Sequence, residues 1–121
     1  MVKNIYLIHP IENLTQKEKD FLDDYVLELE AHGNRVHYPV RDVKQDDNAL
    51  NICLIHRKVM KRVKEVHIYW TKKSRGSIFD FGMAFLMGKK IVLINKNQVK
   101  RTKNKSYENL LLDLHDLSNK K

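Results

Sequence analysis

The chain has 121 residues, 42% of them hydrophobic and 31% charged, the size and balance of one globular domain spanning residues 1–121. No apolar run reaches membrane-spanning length, no signal-peptide pattern opens the chain, and the single cysteine, Cys53, excludes an intrachain disulfide, so a cytoplasmic place is the expectation. The net charge of +8 favours anionic partners. The lysines are scattered and end in a solvated Lys120-Lys121 tail, so a nucleic-acid footprint is the weaker reading of that charge.

In chain order, Lys3 to His9 is an apolar run stopped by Pro10 and reads as a buried first strand. Thr15 and Glu18 form a capping-box pair. Phe21, Leu22, Tyr25, Val26 and Leu29 then recur at helical spacing through Ala31, and Gly33 closes that helix. Asn34 to Tyr38 is a second strand, stopped by Pro39, and Arg41 to Asn48 is a polar loop. Asp47 or Asn48 caps a helix from Ala49 to Val63, with Leu50, Cys53, Leu54, Val59, Met60 and Val63 on its apolar face. Glu65 to Trp70 is a third strand. Ser77 caps a helix from Ile78 to Met87, and Gly88 ends it. Lys90 to Asn95 is a fourth strand, Lys96 to Lys105 a basic connector, and Ser106 caps a last helix through about Leu117.

Strands alternate with helices, which favours a parallel sheet covered on both faces. Right-handed crossovers leave few topologies. The expected architecture is a flavodoxin-like three-layer α/β sandwich of four or five parallel strands in the order 2-1-3-4. Its ligand crevice would lie at the carboxyl ends of strands one and three.

That topology gathers candidates from distant parts of the chain onto one edge. Tyr6 and His9 belong to the first strand and its end; Arg41 and Asp42, with Asp46 and Asp47, follow the second. Thr71, Ser74, Arg75, Gly76 and Ser77 follow the third and lead into a helix start. Free N–H groups and the helix dipole there favour an anion; serine hydroxyls and Arg75 add donors, and Gly76 permits close approach. An ordinary capped turn has the same composition. Asp80 lies beside the loop, in the first turn of an otherwise apolar helix, and facing the crevice spares it an unpaired burial. Trp70 can stack a base or pack in the core. His9, His37 and His67 have no metal-ligand spacing.

The run Ser74-x-Gly76-x-x-x-Asp80-x-Gly82-x-Ala84, followed by Gly88-Lys89-Lys90-Ile91, resembles the signature of the nucleoside 2-deoxyribosyltransferase superfamily. That superfamily includes the deoxynucleoside 5′-monophosphate N-glycosidases. Tyr6 and the segment Gly33-x-x-Val36-x-x-Pro39 match in kind and order. The resemblance implies a cofactor-free enzyme in which a carboxylate attacks the anomeric carbon and releases the base, with water or a second base completing the reaction. By resemblance Asp80 takes the nucleophile position, Ser74 holds a 5′-phosphate and Tyr6 orients the nucleophile. A homo-oligomer with shared sites is also implied.

Two departures stand out. Asp80 occupies the place of the family's glutamate, one methylene longer. Ile68-Tyr69 stands where the family carries a base-recognising carboxylate, so Asp42, Asp46 or Asp47 would have to serve as general acid. The leading expectation is therefore a nucleoside or nucleotide N-glycosidase or deoxyribosyltransferase-like enzyme. The alternatives are a nucleotide-sensing module of the same fold that has lost catalysis, and, less favoured, a basic nucleic-acid-binding protein.

Overall fold

The computed structural model describes residues 2–119, so the Lys120-Lys121 end lies outside the described residues. The elements are β1 (Asn4–Ile8), α1 (Gln16–Ala31), β2 (Arg35–His37), α2 (Pro39–Asp42), α3 (Ala49–Arg62), β3 (Glu65–Ile68), α4 (Arg75–Leu86), β4 (Lys90–Leu93), a single 3₁₀ turn (Lys96–Gln98) and α5 (Tyr107–Ser118). The strands form one parallel sheet in the order β2-β1-β3-β4. Four parallel strands with helices around them make the expected flavodoxin-like α/β sandwich.

Local chemistry sets the boundaries. Thr15 accepts from the Glu18 N–H at 3.1 Å while Glu18 accepts from the Thr15 N–H at 3.0 Å, the reciprocal capping box. Gly33 (φ 88°) and Gly88 (φ 65°) end α1 and α4 in the left-handed conformation. In each case the next N–H turns back, Asn34 to the Leu29 carbonyl at 3.2 Å and Lys89 to the Ala84 carbonyl at 3.1 Å. The turn begun at Pro39 winds into the short α2 because proline is pre-set for the first helical position.

Strand alternation divides the core. Ile5, Leu7 and Val36 face α1, where Leu22 and Val26 close over them. Tyr6, Ile8, Val66, Ile68, Ile91 and Leu93 face the opposite way, under Met60 of α3, Phe81 and Ala84 of α4, and Leu111 of α5. Each fully buried aliphatic chain contributes about 1.5–3 kcal/mol. Beside β4, the place of a fifth strand is taken by α5. The outward N–H of Ile91 donates to Ser118 Oγ at 3.3 Å, and that of Leu93 to His115 Nδ1 at 2.8 Å, which covers the sheet edge.

Two inward faces differ from expectation. In α3 the buried positions are His56 and Met60, while Leu50 and Leu54 are exposed. In α4 the cap is Ser74, three residues earlier than expected, and its hydroxyl accepts from the Ser77 N–H at 3.1 Å. Asp80 therefore sits in the second turn, on the buried stripe Ser77–Asp80–Phe81–Ala84.

Candidate functional site

The sheet carries Tyr6 to the middle of the α3/α4 face, fully buried. α4 lowers Asp80 onto it, and the Tyr6 hydroxyl donates to Asp80 Oδ2 at 3.1 Å. Burial, and then the negative charge of Asp80, push the phenol well above its ordinary range, so it stays a donor. α3 brings His56 from the other side, its Nδ1 3.4 Å from the same oxygen. Asp80 Oδ2 thus meets two groups while Oδ1 takes no bond among the described residues. The residue is 9% exposed and lies at the junction of α3, α4 and β1.

Three aromatic rings cluster there, one pair tilted and two pairs edge to face. Tyr6 is 5.0 Å from His37 and 5.8 Å from His56, and the two imidazoles are 6.0 Å apart, centre to centre. The Nε2 atoms of His37 and His56 are buried and without a hydrogen-bond partner. Burial, aided by neighbouring His56, pushes His37 down to about 4. Its ring is also part of the wall of a cleft of about 380 Å³ along the β2 edge, which includes Arg35, Asp42 and Arg62.

The helix start next to Asp80 has two open backbone N–H groups and a serine hydroxyl already in use. Ser74 Oγ is occupied with the Ser77 N–H and donates to Ser77 Oγ at 2.7 Å. The N–H groups of Arg75 and Gly76 precede the first intrahelical bond and have no partner within the helix. Gly76 and Asp80 are four residues apart and share a face of α4, and a side chain at Gly76 would meet open space. Arg75 is exposed, whereas Ser77 is fully buried.

The remaining candidates are held in other networks. His9 Nδ1 donates to the Pro10 carbonyl at 2.8 Å and Nε2 accepts from the Val40 N–H at 3.4 Å, tying β1 to α2. Burial holds it below its ordinary value. Arg41 spans Glu30 at 3.0 Å, Asp42 at 2.7 Å and the Val36 carbonyl at 3.0 Å, closing the β2 edge. Asp42 accepts from the Tyr38 N–H at 2.8 Å. Trp70 is 5% exposed; its indole N–H donates to Glu108 at 2.7 Å and its ring packs on Phe81 and Tyr107. Asn95 grips the Trp70 backbone on both sides, at 2.9 and 2.8 Å.

With this geometry in place, solved structures can be set beside the chain. The CMP N-glycosidase BcmB of Clostridium botulinum superposes with a TM-score of 0.60 at 22% identity, over 75% of this chain and 70% of that one. The 2-desoxiribosyltransferase of Leishmania mexicana superposes with a TM-score of 0.59 at 16% identity, over 74% of this chain and 62% of that one. The fold is that of the nucleoside 2-deoxyribosyltransferase-like proteins. The chain spans less than two thirds of the Leishmania enzyme's length. No protein-family model matches the chain, and no curated protein matches it.

In this nucleoside 2-deoxyribosyltransferase-like fold, the structure brings to Asp80 and Tyr6 two imidazoles, His56, which pattern reading passed over, and His37, which it considered only as a metal ligand. The signal for His56 was present: it precedes Met60 by four and follows Cys53 by three, so it falls on the inward stripe of α3. His37 shares its face of β2 with Arg35, opposite buried Val36. Among the described residues no group of histidine, cysteine and carboxylate side chains is placed to hold a metal, and no helix is long and apolar enough to cross a membrane.

Proposed function

We propose that the chain cleaves the N-glycosidic bond of a nucleoside or nucleotide through Asp80, as a hydrolase or a deoxyribosyltransferase-like enzyme. The observation that carries this is the asymmetry of the carboxylate: Oδ2 is engaged by Tyr6 and approached by His56, and Oδ1 is left over. A carboxylate so held is a positioned nucleophile. The first N–H groups of α4 with Arg75 supply the anion contact expected of a 5′-phosphate, which favours a phosphorylated substrate and hydrolysis over transfer. No cofactor is required by this chemistry.

A homo-oligomer fits the surface of α4. Phe79, Phe85 and Leu86 are exposed on it, and Leu50 on neighbouring α3. An apolar outer helix face of this kind is suited to burial against a second copy. A cytoplasmic place rests on composition, with one cysteine and no disulfide framework.

The second reading, a nucleotide-sensing module, draws on the short reach of Asp80 and its 9% exposure. One experiment separates the two. The protein is incubated with CMP and the deoxynucleoside 5′-monophosphates, and free base is followed by chromatography. Release that disappears in Asp80→Asn is the expected result. Saturable binding without release would leave the sensor.

A further inference from the structure

His56 approaches Asp80 from a helix that bears none of the residues the signature contains. We propose that His56 is a positioning residue for Asp80: its imidazole N–H holds Oδ2 and so presents Oδ1 to the anomeric carbon. The inference deepens the glycosidase reading and rests on it.

The tautomer follows from the surroundings. An ionised carboxylate oxygen only accepts, so the ring nitrogen facing it at 3.4 Å carries the proton. In the neutral ring Nε2 then holds a lone pair, and it is this atom that is buried without a partner. An open acceptor costs less than an unpaired N–H. The reverse tautomer would set a lone pair against the carboxylate and bury an N–H facing nothing, so both penalties oppose it. At 3.4 Å the pair is a close contact and not yet a formed hydrogen bond, as catalytic contacts often are before the ligand is bound.

The clamp also answers the short reach of an aspartate. One donor leaves a carboxylate free to turn about its terminal torsion. A second donor on the same oxygen, from the other side, fixes that turn and with it the direction of Oδ1. Orientation of this sort is worth most when the nucleophile has no length to spare. In the first step Oδ1 bonds to the anomeric carbon, the C–N bond breaks, and the base leaves with the electron pair and takes a proton from solvent. Water then attacks the same carbon, the C–Oδ1 bond breaks with its pair returning to Asp80, and the water's proton goes to solvent. As the carboxylate re-forms, charge returns to Oδ2, where the Tyr6 and His56 donors stand.

The test compares His56→Phe, which keeps a ring without a donor, with His56→Asn, whose amide N–H falls near the position of Nδ1. Base release from the substrate that the wild type turns over is the readout. Expected are a fall in kcat of about 10- to 100-fold in His56→Phe with KM within about twofold, and recovery of most of it in His56→Asn. Equal loss in both variants, or a change in KM alone, overturns the proposal. Should His56→Phe fail to fold, His56→Gln replaces it, since its amide falls near Nε2. An active Asn variant with an impaired Gln variant supports the proposal, and the reverse pattern overturns it. Wild-type protein that binds nucleotide without releasing base sinks the glycosidase reading and this one with it. Release that His56→Phe leaves intact sinks this one alone.

Discussion

On its two faces the same sheet carries a carboxylate, an imidazole and a phenol. Under α1, the His67 Nε2–H donates to Glu65 at 3.0 Å and His67 Nδ1 accepts from the Tyr25 hydroxyl at 2.6 Å. Lys3, at 3.1 Å, and Lys90, at 4.0 Å, balance the Glu65 charge. Both nitrogens of His67 are thus engaged. Under α3 and α4, Asp80 has Tyr6 at 3.1 Å and His56 at 3.4 Å, no lysine or arginine within 4 Å among the described residues, and two imidazole nitrogens left without partners nearby. The two chains of groups share residue types and differ in satisfaction. A completed network fixes the fold, and an incomplete one keeps capacity for a ligand.

The comparison breaks most sharply at Asp80. Asp80→Asn should lower base release on the order of a thousandfold or more while the melting temperature stays near wild type. If release persists, the open network is structural as well. Next come the two phenols. Tyr6→Phe should cost activity, about 10- to 100-fold in kcat, because it frees Asp80 to turn. Tyr25→Phe should leave kcat unchanged and lower stability by about 1 kcal/mol in denaturant titration, because it orphans His67 Nδ1. A crossover of these effects would invert the assignment.

Trp70→Phe tests whether the indole belongs to the core or to the ligand. Loss of its bond to Glu108 should cost about 1–2 kcal/mol of stability with KM unchanged; a raised KM would return Trp70 to base recognition. Acid sensitivity samples both faces together. His37 is held down to about 4 and His67 below its ordinary value, in both cases first by burial. The unfolded chain binds protons at these sites near pH 6.5 and the folded chain does not. Stability is therefore complete above that pH and falls as the pH drops toward about 4. The lowered carboxylates Asp23, Asp42 and Glu65 extend the loss below about 4. Thermal melts of His37→Gln should show a shallower slope across the upper window. Arg41→Ala should have the smallest effect, below about 1 kcal/mol and without change in KM, since its ion pairs are largely solvated.

Much of this was legible from residue order. The apolar runs, the capping residues and the two closing glycines mark nearly every element. Alternation with right-handed crossovers then leads to the strand order. Where local reading went astray, chemistry was ambiguous within a few residues. Ser74 and Ser77 both precede an apolar run, and the cap went to Ser74, whose hydroxyl reaches the Ser77 N–H. Leu50 and Leu54 are as apolar as any core residue, yet α3 turns them outward and His56 inward.

By itself the sequence determined the order of the strands and of the four long helices, the parallel sheet, and the gathering of Tyr6 and the α4 start on one sheet edge, because periodicity and caps act over a few residues and topology over a few rules. Which imidazole meets Asp80, and which carboxylate oxygen stays open, were decided only by the tertiary structure. Tyr6 and Asp80 lie 74 residues apart, and their contact with His56 depends on the rotation of two helices about their own axes. That rotation is set by how Met60, Phe81 and Ala84 pack onto β1 and β3, a property of the assembled core; spacing in α3 can turn His56 inward but does not say what it meets there.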